Sequence, residues 1–207
     1  YTDDRDLIGG YSRGHEELME VVPNIVSNRD NTLIEAVPEE KEIQEAMMCL
    51  NPESAPGPDG FPGSFYRESW DIISNDLVEI IQDFFCGDEI PRVACATSLV
   101  LVPKIKDPYS IQRYRLVIMF NFPYKVLACV INIKLSTFLP WWKSSEHHGF
   151  VKGRSIQGAI ALAQEAVSDL NHTHGSNMVI KLDMDKAYDM IKWSFIIKVM
   201  TSLSQSN

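Results

Sequence analysis

The sequence lacks several features that would assign it to a class of protein. Its four cysteines, Cys49, Cys86, Cys95 and Cys129, include no Cys-x-x-Cys pair, so we expect buried, reduced thiols in an intracellular protein and no structural zinc site. No apolar run reaches the length that crosses a bilayer, and the first residues have no signal-peptide pattern. There is no initiator Met, so a fragment is expected. No internal repeat is visible, which excludes a repeat protein.

Positive charge is scarce in the first half of the chain. The whole sequence has 28 Asp and Glu against 19 Lys and Arg, a net charge of -9 that argues against a nucleic-acid partner. Residues 1–95 hold 21 acidic and 6 basic side chains, whereas residues 96–207 hold 7 and 13. Positive charge around a small acidic cluster suits polyphosphate and a nucleic-acid backbone. A solvated basic surface is the alternative.

The spacing of apolar residues predicts an α+β domain over residues 37–207 behind an acidic, poorly ordered lead-in, residues 1–36, with a short helix near 15–21. Helix 38–50 starts with Pro38 at its first position. One long helix or two abutting helices are predicted over 66–84, with caps for a break at 74–76 and a stop at Gly87. Buried strands at 98–103 and 114–120 are predicted to form a hairpin. The remaining predicted elements are a helix 123–138 ended by Pro140, a helix 155–171 capped by Ser155, a strand ending at Asp183, and a helix from Trp193.

Two of these helices have a predicted buried stripe, since apolar side chains recur at steps of three and four. In helix 123–138 the stripe is Tyr124, Leu127, Ile131, Leu135 and Phe138. In helix 155–171 it is Ile156, Ile160, Ala163, Val167 and Leu170.

The stretch Val179–Asp189 carries the clearest chemistry. Its apolar run ending in acidic residues predicts a strand that presents Asp183 and Asp185 on one face at an exposed end. Carboxylates placed in this way suit a hard divalent cation such as Mg²⁺. A calcium loop of the EF-hand type is excluded, because Tyr188 and Ser194 stand where it needs Gly and Glu. A haloacid-dehalogenase-like phosphotransferase with Asp183 as nucleophile, motif A of a reverse transcriptase, and a solvated acidic strand end all remain open for this stretch alone.

Six stretches in one order resemble the front half of a reverse transcriptase domain from a non-LTR retrotransposon of the LINE type common in plant genomes. They are Ser54–Phe61, Leu101–Lys104, Tyr114–Val117, Asn121–Lys125, Gly149–Ser155 and Lys181–Asp189. The resemblance covers roughly residues 37–204. It implies the fingers and a partial palm of a right-hand polymerase, truncated before the Tyr-x-Asp-Asp hairpin. Leu116 and Ile118 depart from the family's usual Pro and Ser, and Gly158 replaces a polar residue.

The resemblance also implies roles for individual residues. Lys104 and Arg115 match the pair on a fingers hairpin that grips the incoming nucleotide's triphosphate. Asp183 matches the catalytic motif A carboxylate that bridges two Mg²⁺ ions, and the main-chain carbonyl of Met184 adds a metal contact. Tyr188 matches the aromatic residue that selects deoxynucleotides.

A template-side contact is implied for Gly153, Arg154 and Ser155, in which the Arg pairs with phosphate. The implied partners are an RNA template, a DNA primer and a dNTP, with no membrane, in the nucleus or cytoplasm. The implied activity is RNA-directed DNA polymerisation by the intact parent. We expect this chain alone to be inactive, since it stops before the Tyr-x-Asp-Asp hairpin that supplies the remaining metal carboxylates in the family. A noncatalytic nucleic-acid-binding remnant and the phosphotransferase are the alternatives.

Overall fold

The computed structural model describes residues 25–144, 146–149, 153–172, 178, 180, 182 and 191–204. The chain divides into two compact units. The central unit is Leu33–Thr137, and the terminal unit is Tyr1–Thr32 together with Phe138–Asn207. The boundary predicted between residues 36 and 37 stays a prediction.

The described part of the chain combines helices with one small sheet, as the predicted α+β class requires. The elements are α1 (Asn28–Glu35), α2 (Glu40–Cys49), α3 (Gly63–Glu68), α4 (Trp70–Cys86), β1 (Thr97–Pro103), a 3₁₀ turn (Ile111–Arg113), β2 (Tyr114–Phe120), α5 (Phe122–Trp142), α6 (Ile156–His172) and α7 (Trp193–Ser204). β1 and β2 pair antiparallel. The predictions of a β-hairpin and of a last helix from Trp193 are therefore confirmed.

The core of the central unit lies where α2, α4 and α5 meet. Its buried side chains are Ile43, Ala46, Met47, Leu77, Ile81, Phe122, Val126, Leu127 and Val130. Removing this apolar surface from water is the main force holding the three helices together. The loops next to the N-terminus of α5 are consequently carried on a packed base.

Helix α2 begins at Glu40, two residues later than predicted. The backbone N–H of Glu39 donates to the Glu42 carboxylate at 2.9 Å, which makes Glu39 the N-cap and leaves Pro38 just outside the helix. The Pro38 carbonyl instead accepts a hydrogen bond from the Gln82 side chain at 2.9 Å. The prediction that Pro38 holds the first helical position is therefore wrong, whereas the helix itself is confirmed.

The break between α3 and α4 falls at Ser69, not at the predicted 74–76. Ser69 has φ -94° and ψ 9°, and residues 74–76 lie inside α4. Leu77 and Ile81 are buried in the core, so tertiary packing holds this stretch helical despite its capping residues. The predicted stop at Gly87 is confirmed, with φ 103° at that residue, a conformation that glycine adopts without steric cost.

Helix α5 continues past Pro140 to Trp142, so the predicted end is wrong. Its buried residues are Phe122, Val126, Leu127 and Val130, of which only Leu127 belongs to the predicted stripe. With a mean hydropathy of 1.3 over its apolar window, the helix is long and apolar enough to cross a membrane by length and composition alone, a test that the core helix of a globular protein also passes. Its four buried residues instead pack into the central core, as in the core helix of a globular protein.

The described end of the predicted lead-in is helical. Ser27 and Asp30 cap α1 reciprocally: the Ser27 N–H donates to the Asp30 carboxylate at 3.0 Å, and the Asp30 N–H to the Ser27 hydroxyl at 3.2 Å. Nearby, the Val26 N–H donates to the Leu203 carbonyl at 3.1 Å, which ties this segment to α7. The short helix predicted at 15–21 lies outside the described residues.

Two predictions of burial are wrong. In α6, Ile156, Ile160 and Val167 are 69%, 53% and 51% exposed, because no described neighbour covers this stripe. The side chain of Leu170 is not among those described. All four cysteines are free, and Cys49 and Cys86 are exposed while Cys95 and Cys129 are partly so.

Candidate functional site

The turn-rich loop 51–63 is fixed by one buried amide, that of Asn121. This residue is 4% exposed and stands between β2 and α5. Its Oδ1 accepts the backbone N–H of Asp59 at 3.1 Å, and its Nδ2 donates to the Val93 carbonyl at 2.7 Å. Its own N–H donates to the Ala96 carbonyl at 3.2 Å. Asn121 therefore joins three segments that lie far apart in sequence.

The backbone of the loop approaches Asn121 too closely for any side chain at Gly57. A Cβ built there would lie 2.4 Å from both N and Oδ1 of Asn121. On the other side of the loop, Lys125 Nζ donates to the Ala55 carbonyl at 2.7 Å. Two of the resembling stretches, 54–61 and 121–125, are thus brought together by direct contacts.

Asp59 and Tyr66 form the polar link between this loop and the core. The Tyr66 hydroxyl donates to Asp59 Oδ2 at 2.8 Å, and the Tyr66 ring stacks on Phe122 with 4.7 Å between centroids. Burial, and then the hydrogen bond to Asp59, raise the pKa of Tyr66 above its ordinary value. The phenol therefore stays neutral and serves as a fixed donor.

The hairpin places Lys104 and Arg115 near one another. Val102 pairs with Arg115, and the ladder continues one step further because the Lys104 N–H donates to the Arg113 carbonyl at 2.7 Å. By this register Lys104 and Arg115 are diagonal neighbours, with a separation of roughly 7–8 Å between their positions. Lys104 Nζ donates to the Gln112 carbonyl at 3.2 Å, and Arg115 forms no side-chain hydrogen bond or ion pair with any described residue.

The strands themselves are more exposed than predicted. Leu99, Leu101 and Leu116 are 65%, 49% and 58% exposed, so the prediction of a buried strand is wrong for the described part of the chain. The two strands form a two-stranded sheet that α2, α4 and α5 do not cover. Its basic end is accordingly open to solvent.

The segment Gly153–Ser155 lies in the terminal unit, where two of its residues have clear structural roles. The hydroxyl of Ser155 accepts the Gln157 N–H at 3.1 Å and so caps α6, as predicted. Gly153 has φ 82°, in the left-handed region that suits glycine. The Arg154 guanidinium donates to the carbonyls of Pro140, Lys143, Ser144 and His147.

The residues predicted to carry the metal chemistry, Asp183 and Met184, lie outside the described residues, as does Tyr188. So does the strand predicted to end at Asp183, of which only Ile180 and Leu182 are described. Among the described residues, no group of three or more His, Cys, Asp or Glu side chains could hold a metal ion. The Mg²⁺ assignment therefore stays a prediction.

Comparison with known protein families decides the classification. A family model for reverse transcriptase (RNA-dependent DNA polymerase) matches residues 102–206, half of the chain. The chain belongs to the reverse transcriptase family. The family match includes the basic hairpin end, the segment Gly153–Ser155 and the stretch around Asp183.

A curated relative extends the likeness of this reverse transcriptase family member to the central unit. The chain is 26% identical over 189 residues to the "Transposon TX1 uncharacterized 149 kDa protein" of Xenopus laevis. This alignment includes 91% of the chain and 14% of the relative. The chain thus spans about one-seventh of that protein's length.

The sequence patterns assign no role to Asn121 or Arg113, although both make several contacts in this structure. Asn121 was visible only as a member of the stretch Asn121–Lys125. Arg113 sits beside Lys104, and its guanidinium donates to the Tyr109 hydroxyl at 2.9 Å and lies 5.4 Å from that ring's centroid. A local signal for Arg113 existed, since it is one of four basic side chains within residues 104–115, which contain a single acid, Asp107.

Proposed function

We propose that this chain forms the fingers and part of the palm of a retroelement reverse transcriptase, in which the hairpin binds the triphosphate of the incoming dNTP. The observation that carries the proposal is that Lys104 and Arg115 are diagonal neighbours at the open end of the hairpin, inside the region that the family model matches. Arg115 has no competing partner among the described residues, so its guanidinium is available for bidentate contact with phosphate oxygens.

Charge supports the same assignment. Residues 104–115 contain Lys104, Lys106, Arg113 and Arg115 against the single acid Asp107, in a chain whose net charge is -9. A local cluster of cations on an acidic protein attracts a polyanion to one place and not to the whole surface. The loop 51–63, locked to Asn121, lies in the same unit and gives the hairpin a rigid neighbour.

The remaining parts of the proposed site rest on the motif resemblance. Asp183 and the Met184 carbonyl would hold Mg²⁺, which supplies charge neutralisation at the triphosphate and activates the primer hydroxyl. Tyr188 would exclude a ribose 2′-hydroxyl, and Gly153–Ser155 would lie on the template side. The substrates are accordingly a dNTP, an RNA template and a DNA primer.

The retroelement origin is supported by the name of the curated relative, which is that of a transposon protein. The non-LTR, LINE-type and plant assignments rest on the order of the six resembling stretches. The only Tyr-x-Asp-Asp pattern in the 207 residues is Tyr1–Asp4, which precedes Asp183 instead of following it, and one motif A carboxylate is a poor holder of two divalent ions. We therefore propose that the 207-residue polypeptide binds its substrates without extending a primer.

Primer extension on an RNA template tests this division between binding and chemistry. The purified chain is expected to bind a labelled RNA and DNA primer-template in an anisotropy titration and to add no nucleotide to the primer. Extension that disappears in Asp183→Ala would show that the chain is catalytically complete. Absence of binding would overturn the substrate assignment, and magnesium-dependent turnover of an aryl phosphate would favour the phosphotransferase instead.

A further inference from the structure

The guanidinium of Arg154 donates hydrogen bonds to backbone carbonyls within the protein. It donates to the His147 carbonyl at 2.7 Å, the Pro140 carbonyl at 3.2 Å, the Lys143 carbonyl at 3.4 Å and the Ser144 carbonyl. These bonds use both terminal nitrogens, which carry four of the five N–H donors of the group. A bidentate grip on phosphate needs two of those donors, so Arg154 would have to release the carbonyls to make it.

One of the carbonyls that Arg154 holds, that of Pro140, belongs to the last turn of α5, and the other three lie beyond the helix end. The last turn of any helix has carbonyls with no intrahelical donor, and a positive charge there interacts favourably with the helix dipole. Pro140 adds to the need, since it contributes no N–H and disturbs the last turn. Arg154 thereby supports the last turn of α5 through the Pro140 carbonyl and holds the residues that follow the helix through the other three.

The turn that follows α5, residues 143–149, is held at further points. The His147 N–H donates to the Ser144 carbonyl at 3.2 Å, and His148 Nδ1 lies 2.8 Å from the Glu146 carbonyl. The His148 ring rests on α6 at Gly158, where a Cβ would lie 2.8 Å from Nε2. The glycine that replaces a polar residue of the family thus makes room for His148.

This fixed turn presents two nitrogen-bearing side chains side by side. Lys143 Nζ lies 3.2 Å from His147 Nε2. This distance is within hydrogen-bond range, and the ammonium can only act as the donor. Lys143 is half-buried and His147 exposed, and Arg154 has covered the carbonyls whose partial negative charge would otherwise repel a phosphate.

We propose that Arg154 is a positioning residue that builds the turn 143–149, and that Lys143, supported by His147, contacts the phosphate backbone of the single-stranded RNA template. This inference deepens the proposed function and rests on it for the identity of the ligand. The motif resemblance assigns the phosphate contact to Arg154, whereas this inference assigns it to Lys143, which lies outside that motif.

The decisive experiment compares four single variants of the 207-residue chain: Lys143→Gln, Arg154→Gln, Arg154→Lys and, as a matched loss of charge elsewhere in the terminal unit, Lys198→Gln. A fluorescein-labelled single-stranded RNA of fixed sequence is titrated at several salt concentrations between about 50 and 200 mM. Thermal unfolding of each variant is measured without RNA. The two readouts separate a residue that touches phosphate from one that builds the turn.

Lys143→Gln is expected to reduce the slope of log affinity against log salt by about 0.7, the value for one phosphate contact on a single strand, with wild-type unfolding. Both Arg154 variants should unfold at lower temperature or fail to fold, and a folded variant should bind RNA more weakly than the wild type because Lys143 is no longer held in place. Lysine at position 154 is not expected to restore the wild-type unfolding temperature, because one ammonium group cannot contact four carbonyls as the planar guanidinium does. Lys198→Gln should match the wild type in both readouts.

The reverse pattern would overturn the inference. If Arg154→Lys keeps the wild-type affinity and stability while Arg154→Gln alone lowers the salt slope, Arg154 touches phosphate directly. If Lys143→Gln leaves the slope unchanged, Lys143 is not the contact. If the wild-type chain binds no RNA, the template assignment in the proposed function fails and the Lys143 site fails with it, while the unfolding data still decide whether Arg154 builds the turn.

Discussion

The side chain of Asn121 accepts a hydrogen bond from the backbone N–H of Asp59 at 3.1 Å, across 62 positions of sequence. The amide is 4% exposed and also donates to the Val93 carbonyl at 2.7 Å. One buried side chain therefore holds the turn-rich loop against the junction of the hairpin and α5.

Replacement of this amide should destabilise the central unit strongly. Asn121→Ala leaves the Asp59 N–H and the Val93 carbonyl without their partner, and each buried polar group left in this way costs about 1–3 kcal/mol. We expect the free energy of unfolding, measured by urea denaturation, to fall by about 3 kcal/mol. The exposed Asn75→Ala in α4 is the control and should change it little. Equal stability of the two variants would contradict the role given to Asn121.

The two glycines of the loop should respond differently to substitution. Gly57→Ala places a methyl group 2.4 Å from N and Oδ1 of Asn121, a clash with backbone that no rotamer change relieves. Gly60 has φ 75° and open space around its Cβ position, so Gly60→Ala costs only about 1–2 kcal/mol of backbone strain. Unfolding measurements should rank Gly57→Ala as the more damaging change. The opposite ranking would mean that the loop does not pack on Asn121.

Tyr66 should make the stability of the fold depend on pH in the alkaline range. Its pKa is raised in the folded state by burial and by Asp59, so the folded chain keeps the phenol proton where the unfolded chain has lost it. Stability should therefore fall as pH rises above about 10, the ordinary tyrosine value. Tyr66→Phe should cost about 1 kcal/mol at neutral pH through the lost hydrogen bond and show a shallower alkaline fall. An identical fall in both proteins would contradict the assigned link.

Local patterns were sufficient for elements whose ends are marked by nearby residues. The hairpin 97–120, the Gly87 stop and the Ser155 cap all depend on residues within a few positions. The end of α5 was missed because the group that supports its last turn, Arg154, lies 14 positions beyond Pro140. The break at Ser69 was misplaced for a related reason, since Leu77 and Ile81 hold the alternative position helical by packing against distant helices.

The candidate site divides in the same way. The diagonal placement of Lys104 and Arg115 follows from the hairpin register, and the hairpin is indicated by local sequence patterns. The importance of Asn121 was not, because its partners at Asp59, Val93 and Ala96 can be identified only once the chain has folded. The use of Arg154 was equally hidden, since the motif shows a cation next to a helix start and not the carbonyls it holds.

Nucleotide binding at the hairpin is tested most directly by calorimetric titration of the 207-residue chain with dATP and with dAMP in the presence of Mg²⁺. We predict that dATP binds more tightly than dAMP, and that Lys104→Gln and Arg115→Gln each weaken dATP about tenfold, the loss of one charge-assisted hydrogen bond. Lys41→Gln, which removes an exposed charge elsewhere in the central unit, should leave the affinity unchanged. If dATP does not bind, or if both hairpin variants bind it as the wild type does, the hairpin is not the triphosphate site.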